Sequence, residues 1–100
     1  MSVRLPTVAV YHAALLDYVL RSDESGLAHA YELGRSGFDS GCGLLQILHV
    51  HDKALGIILD STPVDEEIRR RVNASVKFLL EALSPYEMAF HGYRDLLKPR

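Results

Sequence analysis

Apolar residues along this chain recur at every third or fourth position, and no segment sustains the two-residue alternation of a half-buried strand. The pattern predicts four helices. The first covers residues 7–21, with Pro6 near its first turn and Val8, Tyr11, Leu15, Tyr18 and Val19 along one side. The second starts at Ser22 or Asp23, a capping position followed by acidic residues, and carries Leu27, Tyr31, Gly34 and Phe38 on one stripe. It gives out in the glycine-rich stretch SGFDSGCG at residues 36–43. The third, residues 43–59, is the most apolar and is expected to be the most buried. Its stripe reads Leu44, Leu48, His51, Leu55, Ile58.

The segment DSTPVDEE then supplies Thr62 as a cap, Pro63 as the first helical position and acids for the first turn of a fourth helix. Along that helix Ile68, Val72, Val76, Leu79, Leu83, Tyr86, Phe90, Tyr93 and Leu97 recur at steps of three and four, the spacing of a coiled coil. Pro85 removes a backbone donor inside this pattern and predicts a kink near Ser84 rather than a clean end. About 33 residues at 1.5 Å each reach roughly 50 Å, too long for the other three helices. The C-terminal half therefore overhangs or pairs with a second chain. On it Tyr86, Phe90 and Tyr93 would form an exposed aromatic strip, which argues for a homodimer. Four amphipathic helices with short connections make an all-α, antiparallel four-helix bundle with a long C-terminal helix.

A chain of 100 residues forms one domain, residues 1–100, with one modest core. Apolar residues at 48% and charged residues at 24% are the balance of an ordinary globular protein. A net charge of -2 argues against a nucleic-acid partner, since phosphate neutralisation needs a basic excess. The one basic cluster, Arg69, Arg70 and Arg71, follows Asp65, Glu66 and Glu67 and reads as a helix surface matched to its acidic first turn. The single cysteine, Cys42, excludes an internal disulfide and a cysteine-based zinc cage, and a reducing, cytoplasmic setting fits it. Asp17 interrupts the apolar N-terminal stretch and no small-residue cleavage site follows, so neither a signal peptide nor a membrane span is expected.

The stretch HVHDKALG places His49, His51 and Asp52 within four positions, a spacing that resembles a ligand set. On a helix, residues two apart point about 200° away from each other, so the two histidines cannot clamp one metal ion. His51 shares the stripe of Leu48 and Leu55 and is expected in the core, hydrogen-bonded to a tyrosine or a backbone carbonyl. His49 shares a polar stripe with Gln46, Lys53 and Gly56 and faces outward. The alternative function is therefore histidine phosphotransfer by His49, although Lys53 stands where such domains usually carry a glycine. The glycine-rich loop follows a helix rather than a strand and lacks a lysine for a phosphate. Nothing places a nucleophile beside a base, so no catalytic residue, metal or cofactor is expected.

The blocks YHAALLDYV, SGLAHAYELGR, LHVHDKAL and FLLEALSPYEMAFHGYRDL, in this order and spacing, resemble the N-terminal domain of the stress-response phosphoserine phosphatase RsbU, whose fold is similar to the C-terminal bundle of the clock protein KaiA. By position Tyr11, His12, Leu15 and Tyr18, then Leu27, Ala30 and Arg35, then His51, Lys53 and Leu55 correspond to the family's blocks. The resemblance implies a non-catalytic, dimeric regulatory domain ahead of a PPM-type (PP2C-like) serine phosphatase. It implies activation by an RsbT-like switch-protein kinase in a partner-switching, sigma-factor stress response. It places the partner surface on helices 2 and 4, at Glu24, Ala28, Leu80 and Ser84, and implies that helix 4, which carries the Tyr86, Phe90 and Tyr93 strip, leads into a linker toward the output domain. The chain departs from the family at Ser84 and Pro85, in its glycine-rich loop, and in carrying no output domain.

Overall fold

The structure, a computed structural model, describes residues 7–97, apart from the side chains of Tyr93, Arg94, Asp95 and Leu97. It is all-α: α1 (Val8–Arg21), α2 (Glu24–Asp39), α3 (Leu44–Asp60) and α4 (Asp65–Leu97) form a helical bundle. The Thr7 hydroxyl accepts from the Val10 amide at 3.2 Å and opens α1. Ser22, with φ of 54°, ends α1 in the left-handed region, and Asp23 at once caps α2 by accepting from the Gly26 amide at 3.0 Å. A polar pair thus closes one helix and opens the next. Gly41, at φ 83°, supplies another left-handed turn, and Gly43 opens α3 without a side-chain bond.

Thr62 does not cap α4, contrary to the sequence expectation. Its hydroxyl donates to the Ile58 carbonyl at 2.7 Å and accepts from Arg71 at 2.9 Å, so it finishes α3 and ties the corner to the side of α4. A threonine hydroxyl readily bonds a carbonyl one turn back, and here that bond outcompetes capping. The fourth helix opens two residues later than Pro63, at Asp65, with Asp65, Glu66 and Glu67 at its positive end. Glu67 is held down to about 2 by hydrogen bonds from Arg70 and then Arg71.

Tyr11, Leu15 and Val19 of α1, Ile58 of α3 and Phe78 of α4 are fully buried and make the centre of the core. Helices α1 and α4 each pack against all three others, while α2 and α3 lie on separate flanks. The most extensive contact joins α2 to α4. Gly34 approaches Ala82, and four residues on Phe38 meets Tyr86 edge-on with ring centroids 5.3 Å apart. Equal steps in the same sense make α2 and α4 parallel neighbours. The buried positions Gly26, Ala30, Gly34 and Gly37 carry small side chains that allow the approach.

Two stripes differ from their sequence reading. Helix α3 is not the most buried: Leu44 is 47%, Leu45 71% and Leu48 36% exposed, and its inner face is Ile47, His51, Ala54 and Ile58. It touches the bundle along one side, so only a narrow face is covered and the leucines beside it stay outside. On α4 the inner positions are Ala74, Ser75, Phe78, Ala82 and Pro85, whereas Val76 and Phe90 of the expected seam are exposed. The helix continues through Pro85, as expected of an interruption rather than an end. Its 33 residues account for the long axis of a molecule measuring 55 × 35 × 23 Å, and exposed Phe90, Gly92 and Leu96 mark the overhang.

Candidate functional site

The outer side of α4 carries a second seam, Val76, Leu80, Leu83, Glu87 and Phe90, spaced by four and three in turn and turned away from the core. Leu80 is 62% exposed and Phe90 57%. Leu44, at the start of α3, stands beside this seam and encloses a groove of about 510 Å³ lined by Leu44, Leu80, Leu83, Ser84, Tyr86, Glu87 and Phe90. The lining is mostly apolar, with Ser84 and Glu87 as its polar residues. Such a groove suits the apolar face of a partner helix, which inserts side chains one turn apart.

The structure brings Leu80 and Ser84 together here with Tyr86 and Phe90, two residues of the expected dimer strip. The Tyr93 side chain lies outside the described residues. Tyr86 is half-buried rather than free: its hydroxyl donates to the Cys42 carbonyl at 2.6 Å and its ring packs on Phe38. It pins the α2–α3 loop to α4, and burial, with Cys42 adding to it, pushes its hydroxyl up to about 12. Glu24 and Ala28 are exposed on α2 and do not line the groove. Ala28 is two residues from both Gly26 and Ala30, so it points away from the face that meets the bundle. Leu44, Leu83 and Glu87 were missed as site residues, although the steps from Val76 through Leu80, Leu83 and Glu87 to Phe90 were available in the sequence.

His51 is 7% exposed and its Nδ1 lies 2.7 Å from the Tyr11 hydroxyl, the buried imidazole–tyrosine bond expected of it. The two rings meet edge-on, and Phe78 packs on Tyr11 from α4. Burial lowers the His51 pKa, against a smaller pull upward from Asp52, and raises that of Tyr11. A lowered folded-state value means that the unfolded chain binds the proton more readily, so stability is complete above about 6.5 and is lost as the pH falls from there. Urea unfolding at pH 7.5 and 5.5 should show this loss, and His51→Gln, which keeps a polar partner for Tyr11, should reduce it. Identical losses in both proteins would remove His51 as the cause.

His49 is exposed on α3, with Lys53 exposed one turn on, and no hydrogen bond joins it to an acid or base among the described residues. Cys42 is buried at 3% exposure, with its thiol 3.8 Å from the Gly43 carbonyl. Among the described residues no three histidine, cysteine or acidic side chains gather where a metal could be held. No helix there is long and apolar enough to cross a membrane.

Comparison with curated proteins and with solved structures gives no match. A family model does match, that of the N-terminal domain of the phosphoserine phosphatase RsbU, over residues 9–89. The match spans α1, α2, α3 and α4 up to the last turns, including Tyr11, His51, Gly34 and most of the groove. With four helices in the expected order and most of the chain matched, this protein belongs to the family of RsbU N-terminal regulatory domains.

Proposed function

We propose that the chain regulates a PPM/PP2C-type serine phosphatase, attached or separate, by forming a homodimer and binding a switch-protein kinase in a partner-switching stress response. The observation that carries this reading is the apolar groove along the outer seam of α4. Removing Leu80, Phe90 and Leu44 from water would contribute about 25 cal/mol per Å² of apolar surface, a driving force for association that the free chain leaves unused. Because α4 is also the longest helix, a partner seated there acts on its direction or rigidity. The C-terminal turns then carry that change toward an output domain.

Leu80→Asp tests the groove, since the side chain is mostly exposed and its loss leaves the core intact. Kinase affinity measured by calorimetric titration should fall at least about ten-fold, or roughly 1.4 kcal/mol. Glu24→Lys probes the outer face of α2 in the same assay. Binding unchanged by both substitutions would reject helices 2 and 4 as the partner surface. A strictly monomeric species by light scattering at micromolar concentration would reject the homodimer.

A further inference from the structure

A second depression, of about 320 Å³, opens where the α1–α2 corner meets the first half of α4, away from the groove. Its lining is Tyr18, Ser22, Arg70, Asn73, Ala74 and Lys77. Tyr18 and Ala74 are buried and form the floor, while the other four are exposed and carry donors at the rim. No carboxylate is among the lining residues. The cluster Arg69, Arg70 and Arg71 is only partly matched by acids: Arg70 and Arg71 converge on the single carboxylate of Glu67. Arg70 uses Nε and Nη2 for that pair, which leaves Nη1 without a partner. Lys77, Asn73 and the Ser22 hydroxyl form no hydrogen bond or ion pair with other described residues, and the left-handed backbone at Ser22 sets that hydroxyl at the corner. Asp23, the nearest acid in sequence, is occupied by the Gly26 amide and the Ser25 hydroxyl.

One free ammonium, Lys77, the unpaired edge of an Arg70 guanidinium whose charge Glu67 already matches, a carboxamide and a hydroxyl around a hollow that no carboxylate lines favour a ligand that accepts hydrogen bonds and carries negative charge. We propose that this depression is a binding site for a small oxyanion, a phosphate- or carboxylate-bearing molecule, held by Ser22, Asn73, Lys77 and the free edge of Arg70. The bound anion bridges the α1–α2 corner to α4 and so favours the packed arrangement by mass action. The site is independent of the groove and of whether the kinase reading holds.

The test is an amide-shift NMR titration of the whole chain with inorganic phosphate, with acetate and with chloride, at pH 7.5 and matched ionic strength. Saturable shifts at Ser22, Asn73 and Lys77 with phosphate, acetate or both, and not with chloride, are the expected result. Phosphate alone saturating identifies a phosphate-bearing ligand and acetate alone a carboxylate-bearing one. Lys77→Gln and Asn73→Ala, both at exposed positions, should weaken the saturating anion about ten-fold or more while leaving the remaining amide shifts in place. Shifts that match chloride, or an affinity untouched by both variants, would overturn the site.

Discussion

Gly34→Ala is expected to destabilise the fold by about 3 kcal/mol, even though alanine is the better helix former by about 1 kcal/mol. A Cβ at residue 34 would lie 1.8 Å from the carbonyl oxygen of Ala82 and 2.7 Å from its carbonyl carbon. Both are backbone atoms of α4 and cannot swing aside. An ordinary carbon–oxygen contact needs about 3.3 Å, so α2 would have to retreat by roughly 1.5 Å. That retreat loosens the most extensive contact in the bundle and forfeits dispersion along its whole length. Gly56→Ala is the matched control, because nothing lies within 4 Å of a Cβ there and the helix propensity gain should appear undiminished. Urea denaturation of the two variants measures the contrast. Equal or raised stability for Gly34→Ala would mean that α2 and α4 do not touch as described.

Phe78→Ala should cost about 3–5 kcal/mol, a large part of the 5–15 kcal/mol that typically stabilises a domain. The ring is fully buried and meets Tyr11 edge-on at 5.2 Å and Tyr18 at 6.1 Å. Tyr11 in turn holds His51, so the ring supports the point where α1, α3 and α4 converge. Truncation would leave a cavity beneath two tyrosines and a polar pair that depends on their position. Phe78→Leu, which keeps most of the volume, should cost less than half as much. A thermal or urea midpoint for Phe78→Ala close to that of the parent would contradict the packing.

Both residues show where reading the chain as a pattern reaches its limit. Gly34 was placed on the inner stripe of helix 2, but its contact with a carbonyl is a property of two helices. Phe78 fell outside the expected stripe altogether. The steps Val76, Leu79, Leu83, Tyr86, Phe90 trace a plausible heptad, yet they cut across two seams: an inner one of Ser75, Phe78, Ala82 and Pro85, and an outer one of Val76, Leu80, Leu83 and Phe90. When small residues such as Ala82 and Ser75 serve the core, the larger apolar side chains dominate the sequence pattern from either side. The same effect misplaced the inner face of α3, where Leu44 and Leu48 outweigh Ala54. The site followed the fold: Leu80 and Ser84 came from the family resemblance and do line the groove, whereas Leu44 enters it only because α3 begins beside α4.

By itself the sequence determined the all-α class, the number and order of the helices, the stop at Ser22 and Asp23, the long fourth helix through Pro85, the separation of His49 from His51, and the family. These depend on local periodicity, capping chemistry and short-range geometry, which are written into neighbouring residues. The tertiary structure decided which face of α3 and α4 is buried, that Thr62 serves α3, that Tyr86 is pinned to the loop at Cys42, and that α2 lies against α4 close enough to require Gly34. Those outcomes turn on which surfaces meet and how nearly, because burial and close contact belong to pairs of elements and no single helix encodes its partner's shape.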